Sequence, residues 1–380
     1  DRGYGVAVDS SGNVYTTGNF QGTVNFGAGN VTSTGSADVF ITKLNASGTH
    51  QWTTTFGSTS YDLGEGVAVD SSGNVYTAGY FLGTVNFGAG NVTSAGGADV
   101  FVTKLNASGA HQWTTTFGSA ASDVGYDVAV DSSGNVYTTG IFNGTVNFGA
   151  GNVTSAGSSD VFVTKLNASG THQWTTTFGS TSADYGYGVA VDSSGNVYTT
   201  GNFSGTVNFG GTNVTSAGSS DVFVTKLNTS GAHQWTTTLG GTSAESGQGV
   251  AVDSSGNVYT AGYFAGTVNF GAGNVTSAGS SDVFVTKLNA SGTHQWTTTL
   301  GGTSGDFGYG VAVDSSGNVY TTGYFQGTVN FGGTNVTSAG GADVFVTKLN
   351  ASGQLIVAVA PGGGGGGGWN SSGSDGSYGA

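Results

Sequence analysis

Cysteine and methionine are absent from this 380-residue chain, and proline occurs once, at Pro361. Without thiols no disulfide holds the fold, and no zinc-type thiolate centre can form. Cations are scarce: seven Lys and Arg stand against 21 Asp and Glu, for a net charge of −14. Phosphate backbones are bound by clustered Lys and Arg, so nucleic acid is not expected as a partner. No stretch follows a helical period. The longest apolar run, Leu355 to Ala360, is far too short to cross a membrane. The apolar fraction is 36%, below the ~45–50% of ordinary globular chains. Even position 1 is not Met but Asp1. Together with the low Lys content and many Asn-x-Ser/Thr triplets, this leads us to expect a processed, extracellular or cell-surface protein.

What the sequence has is repetition. The string VAVDSSGNVYT occurs six times, with its Asp at Asp9, Asp70, Asp131, Asp192, Asp253 and Asp314, a step of 61 residues. A fixed period of this kind marks an array of one supersecondary unit. The units start near residues 1, 62, 123, 184, 245 and 306. Aromatics make up 12% of the chain, so core material comes in large pieces, and glycine contributes 73 residues of turn material. Thr, Val, Tyr and Phe fill the segments between Gly-rich turns, which is strand chemistry.

In the first unit, Val6–Val8 reads as a short strand, and Asp9-Ser10-Ser11-Gly12-Asn13 as a tight turn. Val14 to Gly18 runs back. Gly22–Gly27 and Val31–Ser33 form a ribbon. Asp38–Asn45 is the longest strand, and His50–Phe56 follows a second turn. Val39 and Ile41 face one way in the long strand, Phe40 and Leu44 the other. Both faces are apolar, so each sheet must be covered on both sides, as a propeller blade is. The expected fold is all-β: a six-bladed β-propeller around a central channel over residues 1–360, with a Gly/Ser-rich tail at 361–380. A linear β-solenoid is the alternative. Its coils repeat at shorter periods and need distinct caps, and no cap-like segment is seen here.

The sixth unit departs from the pattern. Where the first has His50-Gln51-Trp52-Thr53-Thr54, it has Leu355-Ile356-Val357-Ala358-Val359. This strand finishes its own blade or adds to a sheet of a neighbouring molecule. Leu355, Ile356, Val357 and Val359, with Trp369 in the tail, are therefore candidate assembly residues.

The string VAVDSSGNVYT, followed by DVFVTKLNASG and HQWTTTFG, resembles the SBBP-type β-propeller repeat of secreted and surface proteins. The likeness runs from Asp1 to about Gly353. It implies blades and extracellular placement, and it implies little about activity.

Each candidate site is one residue repeated. Asp1, Asp62, Asp123, Asp184, Glu245 and Asp306 lie between units and read as an acidic rim. Ca²⁺ is the one cofactor such a rim could take; no other cofactor is expected. Asp9 and its equivalents read as Asx-turn residues. His50, His111, His172, His233 and His294 read as exposed turn residues. Asn30, Asn45, Asn91, Asn106, Asn152, Asn167, Asn213, Asn228, Asn274, Asn289, Asn335 and Asn350 are candidate glycosylation sites at turns. Leu63, Tyr126, Tyr185, Tyr187, Phe307 and Tyr309 vary between units and read as exposed contact residues on a loop rim.

No enzyme is expected. A general acid and base need different environments, and equivalent blades offer equal ones. The first reading is a secreted, glycosylated structural protein. It would self-associate into a homopolymer, as subunit of an extracellular fibre or surface layer, through its rims and C-terminal strand and tail. The alternative is a lectin- or adhesin-like propeller binding glycans through its tyrosines.

Overall fold

A computed structural model describes residues 1–331 and 335–359. The described chain is built of strands and turns, with no helix, and its class is the six-bladed β-propeller. It divides into two compact units. One holds residues 1–197 and 227–232, the other the rest of the described chain.

In the first unit, the opening repeat forms β1 (Arg2–Val8), β2 (Val14–Phe20), β3 (Thr23–Asn25), β4 (Asn30–Thr32), β5 (Asp38–Leu44) and β6 (His50–Phe56). The sheet order is β1-β2-β5-β6, with β3-β4 as a separate ribbon. Neighbours are antiparallel, with Val6 opposite Thr16, Thr17 opposite Ile41 and Thr42 opposite Thr53. The second and third repeats build the same four-stranded sheets. In the second unit, the fifth and sixth repeats do so again. The unit boundary falls inside the fourth repeat.

The first strand is longer than its sequence suggests: it begins at Arg2, not Val6. Gly3 and Gly5 look like loop residues but are strand residues, with a bulge between them. A Cβ on Gly5 would lie 2.7 Å from the carbonyl oxygen of Glu65 in the next sheet, and one on Gly66 would lie 2.8 Å from Asp127 Cα in the sheet after that. Glycine here permits successive inner strands to approach closely.

The core lies between successive sheets. Tyr15, Val39 and Ile41 of the first sheet pack against Val67, Val75, Phe101 and Leu105 of the second, with Phe87 of its ribbon. Tyr76, Val100 and Val102 of the second meet Val128, Phe148, Phe162 and Leu166 of the third. In the second unit, Tyr259 and Val285 meet Val311, Val319 and Leu349.

A polar clamp closes the outer end of each of these joints. Trp52 Nε1 donates to the carbonyl of Ala107, at 3.1 Å, and Thr54 Oγ1 to that of Gly109, at 2.8 Å. The same pair recurs from Trp113 and Thr115 to Ala168 and Gly170, and from Trp296 to Ala351. The Trp113 ring lies on Gly170, whose φ is +81° and whose Cβ would fall 2.7 Å from the indole.

The sixth repeat's last strand, Leu355–Val359, pairs antiparallel with its own sheet, Val346 opposite Val359. Its backbone completes the sixth blade within the chain, the first of the two readings. Trp369 and the rest of the tail lie outside the described residues.

Gly170→Ala combines a left-handed φ with a clash against the Trp113 ring, and is expected to lower unfolding free energy by about 1–3 kcal/mol. Gly3→Ala has no atom within 4 Å of its new Cβ, and should stay within about 0.5 kcal/mol of the parent. Chemical denaturation of the two variants checks this.

Candidate functional site

The repeated Asp of VAVDSSGN opens the turn between the first two strands of each sheet. Asp9 Oδ1 accepts the N–H groups of Ser11 and Asn13, at 2.9 and 3.0 Å. Asp9 Oδ2 accepts from Asn13 Nδ2 at 2.8 Å and from the Tyr15 hydroxyl at 2.9 Å. Burial opposes the charge, but the hydrogen bonds from Asn13, Tyr15 and Ser11 outweigh it and bring this carboxyl down to about 2. Lys43 Nζ sits 5.1 Å from the centre of the same Tyr15 ring, a cation–π contact. This Asp, Tyr and Lys form one structural cluster at the turn.

The acids between repeats do not form a solvated rim. Asp62 and Asp123 are fully buried, and Asp184, Glu245 and Asp306 nearly so; Asp1 alone is exposed. Asp62 Oδ2 accepts from Ser58 N at 2.6 Å and Oδ1 from Leu82 N at 2.9 Å. Asp306 does the same with Gly302 N and Gln326 N, at 2.8 and 3.0 Å. Asp1 Oδ1 accepts from Gln21 N at 2.9 Å. Asp62, Asp123 and Asp306 thus tie the loop between sheets to the strand end twenty residues on, whereas Glu245 accepts from Gly241 N alone, at 2.8 Å, and its Oε1 has no partner. Loop N–H groups removed from water need an acceptor, and these carboxylates supply it.

Sequence reasoning missed a second buried set. Asp38, Asp99, Asp160, Asp221 and Asp282 are buried. Asp99 Oδ2 accepts from Ala95 N at 2.9 Å, and Asp99 Oδ1 has no partner. Burial raises Asp99 to about 6, against the hydrogen bond from Ala95. The readable signal was an Asp before Val-Phe in every unit, paired with the Gly that closes HQWTTTFG. A Cβ on Gly118 would fall 2.3 Å from the Asp99 carboxyl carbon.

The varied positions are not loop residues. They lie on the innermost strands, Leu63–Val69, Val124–Val130, Tyr185–Val191 and Phe307–Val313. Leu63 and Tyr309 are buried, and Tyr126, Tyr185, Tyr187 and Phe307 half-buried. The reading of an exposed loop rim is therefore corrected. Variable residues look like loop residues, but here successive inner strands stack and their side chains pack on one another. Tyr185 and Tyr187 stack at 5.7 Å and 5°, and Tyr126 lies 5.1 Å from Tyr187. Phe307 lies 4.7 Å from Tyr263.

Two acids on these strands were not singled out. Burial pushes Glu65 up to about 8. It pushes Asp127 up to about 7, although the N–H groups of Val189 and Val128 donate to it at 2.8 Å.

The histidines are half-buried rather than exposed. His50 Nε2 lies 2.9 Å from Thr53 Oγ1, and a Cβ on Gly27 would fall 2.6 Å from His50 Cβ. Burial lowers His111, His172, His233 and His294 below the usual imidazole value. The two asparagine sets also differ. Asn30, Asn91, Asn152, Asn213, Asn274 and Asn335 are exposed at the ribbon tip. Asn45, Asn106, Asn167, Asn228, Asn289 and Asn350 are half-buried, and Asn45 Oδ1 accepts from Ser47 N and Thr49 N at 3.0 and 2.8 Å. Leu355 packs inward, while Ile356, Val357 and Val359 are 52%, 48% and 54% exposed.

Buried acids with raised values keep protons that the unfolded chain releases above about pH 4. Stability should therefore fall as pH rises from about 5 to 8. The turn acids act oppositely: their contribution is lost as pH falls from about 4 toward 2. Thermal unfolding across this range should peak near pH 4–5, and Glu65→Gln should flatten the alkaline decline. An unchanged slope in Glu65→Gln removes that residue from the explanation.

Five segments, residues 51–80, 112–141, 173–202, 234–263 and 295–324, match the SBBP family, described as Beta-propeller repeat. Each runs from the last strand of one sheet into the first two strands of the next. An uncharacterized WD repeat-containing protein of Acanthamoeba polyphaga mimivirus is 24% identical over 379 residues, covering 80% of this chain and 27% of the relative. The chain thus spans about a quarter of that relative's length. Among solved structures, a protein of unknown function from Bacteroides caccae is 10% identical, with a TM-score of 0.46, and 90% of this chain and 93% of that chain are covered. A puromycin hydrolase is 12% identical, with a TM-score of 0.40, and 94% and 53% are covered.

Proposed function

Because the chain belongs to the SBBP β-propeller repeat family, we propose that it is a non-catalytic structural subunit. In this reading it is secreted, carries glycans, and associates with copies of itself into an extracellular fibre or surface layer. The observation that carries the reading is the exposed apolar edge of the last strand. Ile356, Val357 and Val359 are about half exposed, where five other repeats place Gln, Trp and Thr. An apolar surface of this kind is unfavourable in water unless something covers it. The uniform repeats support the non-catalytic part. Most of their polar groups recur as structural sets; Glu65 and Asp127, each present in one repeat, are the exceptions. The exposed asparagines at Asn30 and its five equivalents support the glycan part.

The carbohydrate-binding alternative draws on the tyrosines of the inner strands. The Tyr185 and Tyr187 ring faces are turned to each other at 5°, which favours packing over sugar stacking.

Electron microscopy and sedimentation of the full chain test the structural reading. Extended polymers or layers are expected; single particles at every concentration overturn it. Peptide mass spectrometry of material from the native source should find modification at the Asn30 set before the Asn45 set. Unmodified asparagines throughout remove the glycan part.

A further inference from the structure

The innermost strands carry an extra residue at a bulge. In the fifth repeat it is Gln248, between Gly247 and Gly249, and in the second it is Glu65, between Gly64 and Gly66. A bulge re-aims the side chain it carries. At Gln248 this completes a polar chain. Gln248 Nε2 donates to Ser246 Oγ at 2.7 Å, and Ser246 Oγ reaches Asn202 Oδ1 at 3.5 Å. The same places three repeats earlier, between the first and second sheets, hold Glu65, Leu63 and Asn19. Both donors of the chain are gone there. Burial alone acts on the Glu65 carboxyl; among the described residues no hydrogen bond and no cation bears on it. Asn19 is 6% exposed, and its Oδ1 has no partner. Three tyrosines gather at these two acceptors. Tyr61 is 41% exposed, and its hydroxyl accepts from Asn19 Nδ2 at 3.2 Å. The charge of Glu65 and the hydroxyls of Tyr61 and Tyr4 act on Tyr80, and Glu65 and Tyr61 act on Tyr4. Arg2 donates to Tyr4, not to Glu65. All the residues of this cluster belong to the first compact unit.

We infer that Glu65, Asn19 and these tyrosines form a binding site for a primary alkylammonium. An acceptor removed from water without a donor is costly. Here Glu65 and Asn19 are both in that position, and Leu63 cannot serve them as Ser246 serves Asn202. A primary ammonium is a compact charge with three N–H donors, enough for Glu65, Asn19 and one tyrosine hydroxyl. Aromatic rings beside it add a favourable cation–π contribution. A guanidinium fits less well, because its planar fork suits the two oxygens of one carboxylate, whereas these acceptors stand on two sheets. A neutral sugar brings donors but no charge to pair with Glu65. Access is from the side of Tyr61, the exposed ring. The site occurs once in the array, because the other repeat with Asn at this position satisfies it internally. It is independent of self-association.

Calorimetric titration of the full chain with n-butylammonium at about pH 9 tests this. That pH lies above the value of about 8 to which burial pushes Glu65, and below the range in which an alkylamine loses its proton. Saturable one-to-one binding is expected. Glu65→Gln keeps the shape and removes the charge, and should weaken binding at least about tenfold. Tyr61→Ala, at an exposed ring, should weaken it about threefold, and it carries the test if circular dichroism shows Glu65→Gln unfolded. Butyltrimethylammonium has the charge without the N–H donors, and should bind at least about tenfold more weakly than the primary amine. Absence of saturable n-butylammonium binding overturns the inference. Binding that neither substitution alters does so too, as does equal binding of the quaternary cation or binding of methyl glucoside in place of the amine. None of these results touches the structural-subunit reading, which is decided by assembly.

Discussion

Every sheet in this protein is apolar on both faces, and that is the constraint on which the rest depends. A sheet with two oily faces has no stable position at a water boundary. It must lie between two others, and the same sequence must supply both partner surfaces. Tyr15, Val39 and Ile41 do so on one face, and Val67, Phe101 and Leu105 on the other. At about 25 cal/mol per Å² of apolar surface removed from water, large buried aromatics such as Tyr76, Phe101 and Phe162 make these joints the main stabilising feature. The chain has no cysteine, so no disulfide adds to them.

The polar residues follow from that arrangement. Sheets packed this closely bury loop ends, and the N–H groups of those loops need acceptors. Asp62 and its equivalents supply them, as does the Asp38 set on the ribbon side. Asp9 and its equivalents cap the hairpin turns, and Asp9, Asp70, Asp131, Asp253 and Asp314 each hold the hydroxyl of a Tyr. What looks in the composition like an acidic surface of net charge −14 is largely a set of internal braces. Their carboxyls divide into two classes. The turn acids are held low by their several donors, whereas at Asp62, Asp127 and Asp306 burial outweighs two donated N–H groups and raises the carboxyl.

The repeat and the fold class could be read from the residues, because a 61-residue period and alternating apolar strands have few structural solutions; the blade phase could not, and the sheet order is what places His50–Phe56 last in its own sheet. The ribbon and the DSSGN turn were legible for the same reason. The inner strand was not. Gly3 and Gly5 mark a loop by composition, and only the close approach of Glu65 and Asp127 from later sheets shows why a strand needs glycine there. The varied tyrosines misled in the same way. Variation pointed outward, but Tyr126 packs on Tyr187 of the next inner strand, and Tyr187 on Tyr185 of its own. The last strand's oily sequence was visible from the start. That its backbone pairs in its own sheet while Val357 and Val359 remain exposed was not.

Sequence alone determined the number of units, the strand alternation, the two-faced sheets and the turn chemistry, because each depends on contacts within about sixty residues of chain. Tertiary structure decided which acids are buried and which glycines are strand residues. Burial depends on what the adjacent sheet covers, and identical residues such as Val6 and Val67 differ in it only through their place in the array.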